Sequence, residues 1–413
     1  VDIIDITVIG LGFTGLPTAV AAARSGLTVL GVDASAERVR EISEQRPGCG
    51  LTTVTEQELN SALASGRLLL RHSTQGIPHS NVYVLCVPTP AGRHGRLDVS
   101  LLAQAADEVA KAMRPGALVI VQSTCAPGTV EEVVLPRIAA VSGLCAGLDF
   151  HLAHSPVRTD PGNVGVDTVP RVVAGYTPRC TELAVRFVSR VARRVVAVSS
   201  TRAAELVKIF ENTFRMVNIS LANELAALCR AQRVDVDEVL EAAGSKPYGF
   251  LRHRPGPGAG GDCIPVSAGF FTASARRHGL HSPVVDAAIA VNDAMPAHTV
   301  HRLREALAAR GLPPLRRSRV LVAGVTYKPD TANVRQSAAV RVINELSGEA
   351  DVAYHDPYVP SLLLDNGTTL VSQPVSAPAD LVLIMTRHAA HEPVRRDDVP
   401  VFDCSSGDPV EVA

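Results

Sequence analysis

Short apolar runs that end in a small, polar or acidic residue alternate with alanine-rich amphipathic stretches at both ends of the chain. Ile3–Ile9, Leu27–Val32, Val82–Val87, Ala117–Val121, Phe150–His154 and Arg171–Gly175 predict strands in the N-terminal part. Leu16–Arg24 predicts a helix between the first two. A second series begins at Arg319–Val325 and continues with Val352–His355 and Leu381–Met385, with a helix over Ala338–Ser347. Unbroken apolar runs of this length suit the interior of parallel sheets. The middle is different. No Gly or Pro interrupts Thr201–Cys229, so one helix on the order of 40 Å long is expected there. Further helices are predicted over Val234–Ala243 and from about Gly269 through Asn292 to Arg310. The pattern gives an α/β chain of two Rossmann-like, doubly wound domains joined by a long central helix and a helical middle domain.

The first strand runs into Gly10-Leu11-Gly12-Phe13-Thr14-Gly15 and then into the alanine-rich helix. The second strand ends at Asp33, 23 residues after Gly10. This is a complete dinucleotide-binding fingerprint: Gly10 allows the tight turn, Gly12 the approach of a pyrophosphate, Gly15 close helix packing. The helix N-terminus stabilises phosphate charge. Asp33 can bond both ribose hydroxyls and would repel a 2′-phosphate, which favours NAD over NADP. Pro88-Thr89-Pro90 and Gln122-Ser123-Thr124 lie at strand C-termini, where open α/β sheets bind ligands.

Composition narrows the classes. The 413 residues suggest two or three domains. A net charge of −1 offers no basic field for nucleic acid or an anionic membrane. No apolar run reaches the ~18 residues of a membrane span, and the first residues read as a strand, so a cytoplasmic location is expected. The eight cysteines form no C-x-x-C pair, and neither a metal knuckle nor a disulfide framework is indicated. Only four of 40 basic residues are lysine: Lys111, Lys208, Lys246 and Lys328. Arg cannot give up its proton, so a retained lysine inside a motif marks a position where a titratable ammonium matters.

One stretch has no place in this regular pattern. Arg254-Pro255-Gly256-Pro257-Gly258-Ala259-Gly260-Gly261-Asp262-Cys263 presents a thiol at the end of a loop of Gly and Pro. Gly allows close backbone approach and Pro keeps the rest stiff, so Cys263 is a nucleophile candidate. Lys208 and Asn212, four apart, share a face of the long helix. Thr326-Tyr327-Lys328-Pro329-Asp330 and Arg335 follow the first strand of the last domain, where a phosphate-bearing ligand could sit.

Taken together these motifs resemble the UDP-glucose/GDP-mannose dehydrogenase family along essentially the whole chain, and most closely its UDP-N-acetylhexosamine 6-dehydrogenase branch. The residues that carry the resemblance are Gly10–Gly15, Cys86–Pro90, Ser123-Thr124 with Pro127-Gly128-Thr129, Ser155-Pro156, and Lys208 with Glu211-Asn212-Thr213. Asn218, Asn223-Glu224-Leu225, Gly256–Pro265 and Tyr327-Lys328 with Arg335 and Ser337 complete the set. The resemblance implies an NAD-binding domain over 1–198, a central helical dimerisation domain with the Cys loop over 199–305, and a UDP-sugar-binding domain over 306–413. Cofactor contacts are then expected from Gly10, Gly12, Phe13, Thr14, Gly15, Asp33, Arg38, Pro88, Thr89, Ser123 and Thr124. Cys263, Lys208, Asn212 and Thr124 are the expected catalytic set. Arg158, Lys208, Asn212, Tyr248, Arg254, Gly260, Lys328 and Arg335 are the expected substrate contacts, with no metal and a homodimeric assembly. In such enzymes two hydrides leave C6 in succession, and the loop cysteine carries the aldehyde as a thiohemiacetal and then a thioester that water hydrolyses.

The chain departs from that pattern where carboxylates are expected. The family's Ser-Pro-Glu-Arg is here Ser155-Pro156-Val157-Arg158, and Ser267 stands where an acid follows the nucleophile. Gln122 and Asn333 replace a Glu and an Asp. Serine is a poor base near neutral pH. Three readings follow: a four-electron dehydrogenase in which Asp160, Asp262 or a Lys208-bound water replaces the missing acids, an altered reaction that stops at the aldehyde or passes the thioester to another nucleophile, and a redox-neutral or binding protein that retains NAD.

Overall fold

The computed structural model describes residues 4–46, 54–73, 75–90, 97–158, 169–389, 394, 396, 398–407 and 410–411. Contacts divide the chain into two compact units, Val1–Ile209 and Phe210–Ala413.

The first unit is built on strands β1 (Ile4–Ile9), β2 (Val29–Asp33), β3 (Leu68–His72), β4 (Ser80–Leu85), β5 (Leu118–Val121), β6 (His151–His154), β7 (Arg171–Gly175) and β8 (Val195–Ala197). They form one sheet in the order β3-β2-β1-β4-β5-β6-β7-β8, parallel except where β6 meets β7. Helices α1 (Gly15–Arg24), α2 (Ala36–Ser43), α3 (Glu56–Ala64), α4 (Ser100–Ala112), α5 (Leu135–Ser142) and α6 (Pro178–Val188) accompany it. Two apolar clusters flank the sheet, one including Leu16, Val84, Ile120 and Val173, the other Tyr83, Val109, Val119 and Phe150. The adjoining residues Val119 and Ile120 fall in different clusters, as strand alternation requires of a sheet covered on both faces.

The unit boundary falls inside α7 (Thr201–Gln232), which runs three residues beyond the expected Cys229 and stops at Arg233, whose φ is 57°. The second unit continues with α8 (Val236–Gly244), α9 (Ile264–Arg277) and α10 (Pro283–Ala309). Its sheet has the order β10-β9-β13-β14-β15, from β9 (Arg319–Ala323), β10 (Asp351–His355), β13 (Leu381–Ile384), β14 (Val401–Asp403) and β15 (Val410–Glu411). A hairpin of β11 (Ser361–Leu363) and β12 (Thr369–Val371) stands apart, and α11 (Ala338–Ser347) packs Val342, Ile343 and Leu346 into the core with Val320, Val322 and Leu383. Among the described residues no helix is long and apolar enough to cross a membrane.

One helical expectation changes. The helix expected from Gly269 begins at Ile264, directly after Cys263, because Pro265 sits in the first turn, where its missing N–H costs nothing. The helices expected as far as Arg310 are α9 and α10, separated around Gly279, whose φ is 69°. Pro296 lies inside the second of them and removes the N–H that would bond the Asn292 carbonyl.

At the end of β9 the backbone of Gly324 passes so close to β13 that an added Cβ would stand 2.0 Å from the Thr386 carbonyl oxygen, and its φ is 82°. Gly324→Ala is expected to destabilise the protein by at least about 2 kcal/mol through backbone strain and overlap. An unchanged urea midpoint would show that these strand ends are not so closely apposed.

Candidate active site

In the first unit the glycine loop has the shape the fingerprint demands. Gly10 has φ 93°, and a Cβ there would meet the Cys86 carbonyl oxygen at 2.7 Å. A Cβ on Gly15 would lie 1.7 Å from the Gly10 carbonyl oxygen, so helix and loop touch through backbone alone. At Gly12 a Cβ would meet nothing within 4 Å, which leaves open space over the loop for a ligand. Asp33 sits at the end of β2 with Oδ2 accepting Leu11 N–H at 2.8 Å and Oδ1 accepting Ser35 N–H at 2.9 Å. Each oxygen keeps a further lone pair for ribose hydroxyls. Arg38 Nε donates to the Leu11 carbonyl at 3.0 Å, and Phe13, two residues after Leu11, is 40% exposed. These residues fit a dinucleotide.

The next two strand ends are tied together. Ser123 Oγ donates to the Val87 carbonyl at 2.7 Å, and Thr89 Oγ1 donates to the Thr124 carbonyl at 2.7 Å. Pro88 lies between the two tied residues. Gln122 is buried, its Oε1 accepting from Thr18 Oγ1 at 2.9 Å and from the Cys86 thiol at 3.5 Å. An amide at this position thus has local partners. Burial pushes the Cys86 thiol up to about 12 against the opposing pull of Arg171, and burial lowers Arg171 itself to about 10. Val157 is buried, and Arg158 donates from Nη1 to the Pro170 carbonyl at 3.0 Å. Asp160, one of the acids considered for water activation, lies outside the described residues.

Lys208 on α7 has titratable company. His154 is fully buried, and burial, assisted by the Lys208 charge, brings its imidazole down to about 3, so it is neutral. One turn before Lys208, the buried Glu205 accepts Gly128 N–H at 2.6 Å and Val130 N–H at 2.9 Å. It thereby holds the turn that follows Ser123-Thr124. Burial raises the Glu205 carboxyl to about 7, and the two backbone bonds oppose that rise. Pattern reading missed Glu205 because a single acid on a long helix looks like part of a solvated face.

In the second unit the loop ending at Cys263 is fastened from outside itself. Asn223 Oδ1 on α7 accepts Gly256 N–H at 2.8 Å. Asn292 on α10 accepts Ala259 N–H at 2.6 Å through Oδ1, and its Nδ2 reaches the Ala259 carbonyl at 3.3 Å. The Asn292 carbonyl that Pro296 leaves without a helical partner faces Gly258, where a Cβ would stand 3.3 Å away. Gly261 N–H donates to the Arg335 carbonyl at 3.0 Å, and a Cβ on Gly261 would lie 2.7 Å from the Tyr327 ring. Gly260 is equally constrained, 2.5 Å from the Gln336 carbonyl oxygen by the same measure. Asn292 was not anticipated.

Cys263 is exposed and occupies the N-cap of α9, where free N–H groups and the helix dipole stabilise negative charge. Its neighbour Asp262 pairs with Arg335, Nη1 to Oδ2 3.1 Å. Ser267, one turn into α9, is buried and its Oγ accepts from Asn212 Nδ2 at 2.9 Å. Asn333 Oδ1 accepts the Arg335 N–H at 3.0 Å, so the amide at this position has a local use. Lys328 is half-buried in the turn after β9. Arg254 lies 3.7 Å from Asp237, and the exposed Tyr248 ring carries the Lys246 ammonium at 4.9 Å from its centroid. Within this unit Cys263, Gly260 and Arg335 therefore come together, whereas Tyr248 lies against Lys246 and Arg254 beside Asp237 of α8.

Comparison with known proteins identifies this arrangement. Residues 4–192 match the NAD binding domain of the UDP-glucose/GDP-mannose dehydrogenase family, 202–294 its central domain, and 321–403 its UDP binding domain. The chain belongs to that family. It is an NAD-dependent oxidoreductase of the nucleotide-sugar dehydrogenase type. It is 33% identical to the UDP-N-acetyl-D-mannosamine dehydrogenase of Pyrococcus horikoshii, over 95% of this chain and 92% of that protein. Identity with the UDP-N-acetyl-D-glucosamine 6-dehydrogenase of Pseudomonas aeruginosa is 31%, covering 94% of this chain and 91% of the relative. Among solved structures, the UDP-D-ManNAc dehydrogenase from Pyrococcus horikoshii superposes with a TM-score of 0.84 at 29% identity, covering 98% of this chain and 100% of that one.

The Glu205 contact makes a pH prediction. The ionised carboxylate accepts both N–H groups at full strength; a proton on one oxygen weakens the bond that this oxygen accepts. The carboxyl's folded value, about 7, lies above its ordinary 4.5. The stability linked to its protonation is therefore fully present below the ordinary value and lost as pH rises through about 7, while both bonds reach full strength over the same interval. The dehydrogenase rate should rise through pH 7. Glu205→Gln should abolish that inflection and lower kcat/KM on the order of tenfold, the effect of one unpaired buried N–H. An inflection that persists in the variant would assign it to another group.

Proposed function

We propose that this enzyme oxidises the C6 primary alcohol of a UDP-N-acetylhexosamine-type sugar to the uronic acid through a covalent intermediate on Cys263. The observation that carries the reading is Cys263 itself, an exposed thiol at the N-cap of α9 on a loop fixed by Asn223, Asn292 and Tyr327. The names of the relatives support the sugar class. NAD, when bound, supplies the hydride acceptor for each of two oxidations. The chain's residues do the remainder. The first oxidation leaves an aldehyde. The Cys263 sulphur adds to its carbonyl carbon, and the oxygen takes up a proton to give a thiohemiacetal. Loss of a hydride from carbon and of the hydroxyl proton gives a thioester. Water then breaks the carbon–sulphur bond, forming the carboxylate and returning the thiol. Lys208 is assigned to the oxygen on which negative charge develops, and Asn212 to its neighbourhood through the Ser267 contact. Lys328 and Arg335 are assigned to the nucleotide. A homodimer belongs to the same reading, since α7 leaves Phe210, Leu221 and Leu228 more than half exposed.

A second reading rests on Val157 and Ser267. One side chain is apolar and buried, the other is buried and already bonded to Asn212, and neither is a base that would activate water. On this reading the reaction stops at the aldehyde or ends with another nucleophile taking the thioester.

Counting NADH per sugar with NAD and a panel of UDP-sugars, and weighing the product, separates the two. Two NADH and a uronate are expected. One NADH with an aldehyde, or an acyl adduct that persists on Cys263, favours the second reading; no NADH from any UDP-sugar overturns both. Val157→Glu with Ser267→Asp should speed hydrolysis of the thioester if the missing acids limit it. An unchanged rate would mean that another group already activates water.

A further inference from the structure

The turn after β9 is held at both ends by one buried pair of side chains. Asp356, just past β10, accepts Val325 N–H on Oδ2 at 2.8 Å and Tyr358 N–H on Oδ1 at 2.9 Å. His388, past β13, places Nε2 3.1 Å from Asp356 Oδ2, and its Nδ1 lies 2.9 Å from the Asp330 N–H. Both side chains are fully buried. Because Nδ1 accepts, the ring proton is on Nε2 and is donated to Asp356. Burial alone would raise the Asp356 carboxyl, but the bonds from His388, Val325 and Tyr358 outweigh it and hold the carboxyl below its ordinary value. The pair thus grips residue 325 at one end of the turn and residue 330 at the other.

Between those ends two hydroxyl groups hold the same short segment. Thr326 Oγ1 donates to the Lys328 carbonyl at 2.9 Å, and Thr386 Oγ1 donates to the Thr326 carbonyl at 2.7 Å. Asp330 is held in the left-handed region, φ 57°, a conformation costing an ordinary residue roughly 1 kcal/mol or more. Its Oδ1 accepts Ala389 N–H at 2.8 Å, which fixes it to the segment carrying His388. The adjoining Tyr327 packs its ring against Gly261 of the Cys263 loop and its Cβ against Gly260. Burying an imidazole and a carboxylate is expensive, and an apolar pair would fill the volume more cheaply. What an apolar pair lacks is the means to anchor two backbone N–H groups at the C-terminal ends of three parallel strands, where such sheets bind ligands.

We infer that Asp356 and His388 form a positioning pair that sets the Thr326–Asp330 turn for the uridine diphosphate portion of the substrate and, through Tyr327, sets the Cys263 loop. The inference rests on the assignment of Lys328 to the nucleotide and of Cys263 to the aldehyde. It adds that nucleotide affinity and nucleophile placement share one buried support, formed by residues that touch neither ligand.

His388→Phe retains a ring without either nitrogen, and His388→Asn retains an oxygen able to accept the Asp330 N–H. UDP and NAD affinities would be measured by calorimetry on each full-length variant, with iodoacetamide labelling of the Cys263 peptide followed by mass spectrometry. His388→Phe should weaken UDP at least tenfold and remove the change in Cys263 labelling that UDP causes, with NAD affinity unchanged. His388→Asn should recover a substantial part of both. Wild-type UDP affinity in His388→Phe would overturn the inference, as would parallel loss of UDP and NAD binding, which marks general destabilisation. If His388→Phe does not fold, the Asn variant decides by the same two readouts: UDP affinity and the labelling response reduced together, with NAD affinity unchanged, support the inference, and a change in only one of them, or in neither, overturns it. Lys328→Met separates this inference from the assignment beneath it. Unchanged UDP affinity in that variant, with a loss in His388→Phe, removes Lys328 from the nucleotide site while the positioning pair stands.

Discussion

A loop made largely of glycine and proline cannot hold itself in place, and the stretch that ends at Cys263 is such a loop. Residues 254–263 form no helix or strand, and glycine loses more conformational freedom on ordering than any other residue. The order must be imposed by the surroundings. Here it comes from side-chain amides on two helices, Asn223 and Asn292, and from the aromatic face of Tyr327. The Pro inside α10 belongs to the same arrangement, because it leaves the Asn292 carbonyl free at the point where Gly258 approaches. What looks like a defect in a helix is part of the mounting for the Cys263 loop.

The first unit solves the same problem with different groups. Its ligand-bearing turns also lie past strand ends, and each is fastened by a single buried or half-buried polar side chain: Asp33 for the glycine loop, Ser123 and Thr89 for the ends of β4 and β5, Glu205 for the turn at Gly128. Where the family's acids are missing, the replacements are not loose fits. Gln122 takes bonds from Thr18 and Cys86, and Ser267 takes one from Asn212. At these two positions an amide and a hydroxyl complete local hydrogen bonding.

Much of this was legible in the sequence, and the part that was not has a common physical character. The glycine fingerprint, the long helix and the Cys loop are local signals: each depends on residues within one turn, strand or helix. The α9 start was misplaced by five residues because a Pro in the first turn reads as a loop unless the cap before it is recognised. Glu205, Asn292, Asp356 and His388 were invisible for another reason. Each acts on backbone many residues away, from Glu205 reaching Gly128 to His388 reaching Asp330, and a polar residue that serves a distant N–H leaves no periodic trace. The strand pattern located both sheets but could not show which polar residues at their edges face inward.

The fastenings on the Cys263 loop grip peptide groups and not side chains: the N–H of Gly256, the N–H and carbonyl of Ala259, the N–H of Gly261. They are indifferent to the lettering of Pro255, Pro257 and Ala259, but they count positions. Inserting or deleting one residue would put every one of these contacts out of step at once, with the thiol displaced by a residue's length. The loop is thus a ruler as much as a tether. In descendants of this chain its composition can drift wherever glycine is not sterically required, while its length is fixed.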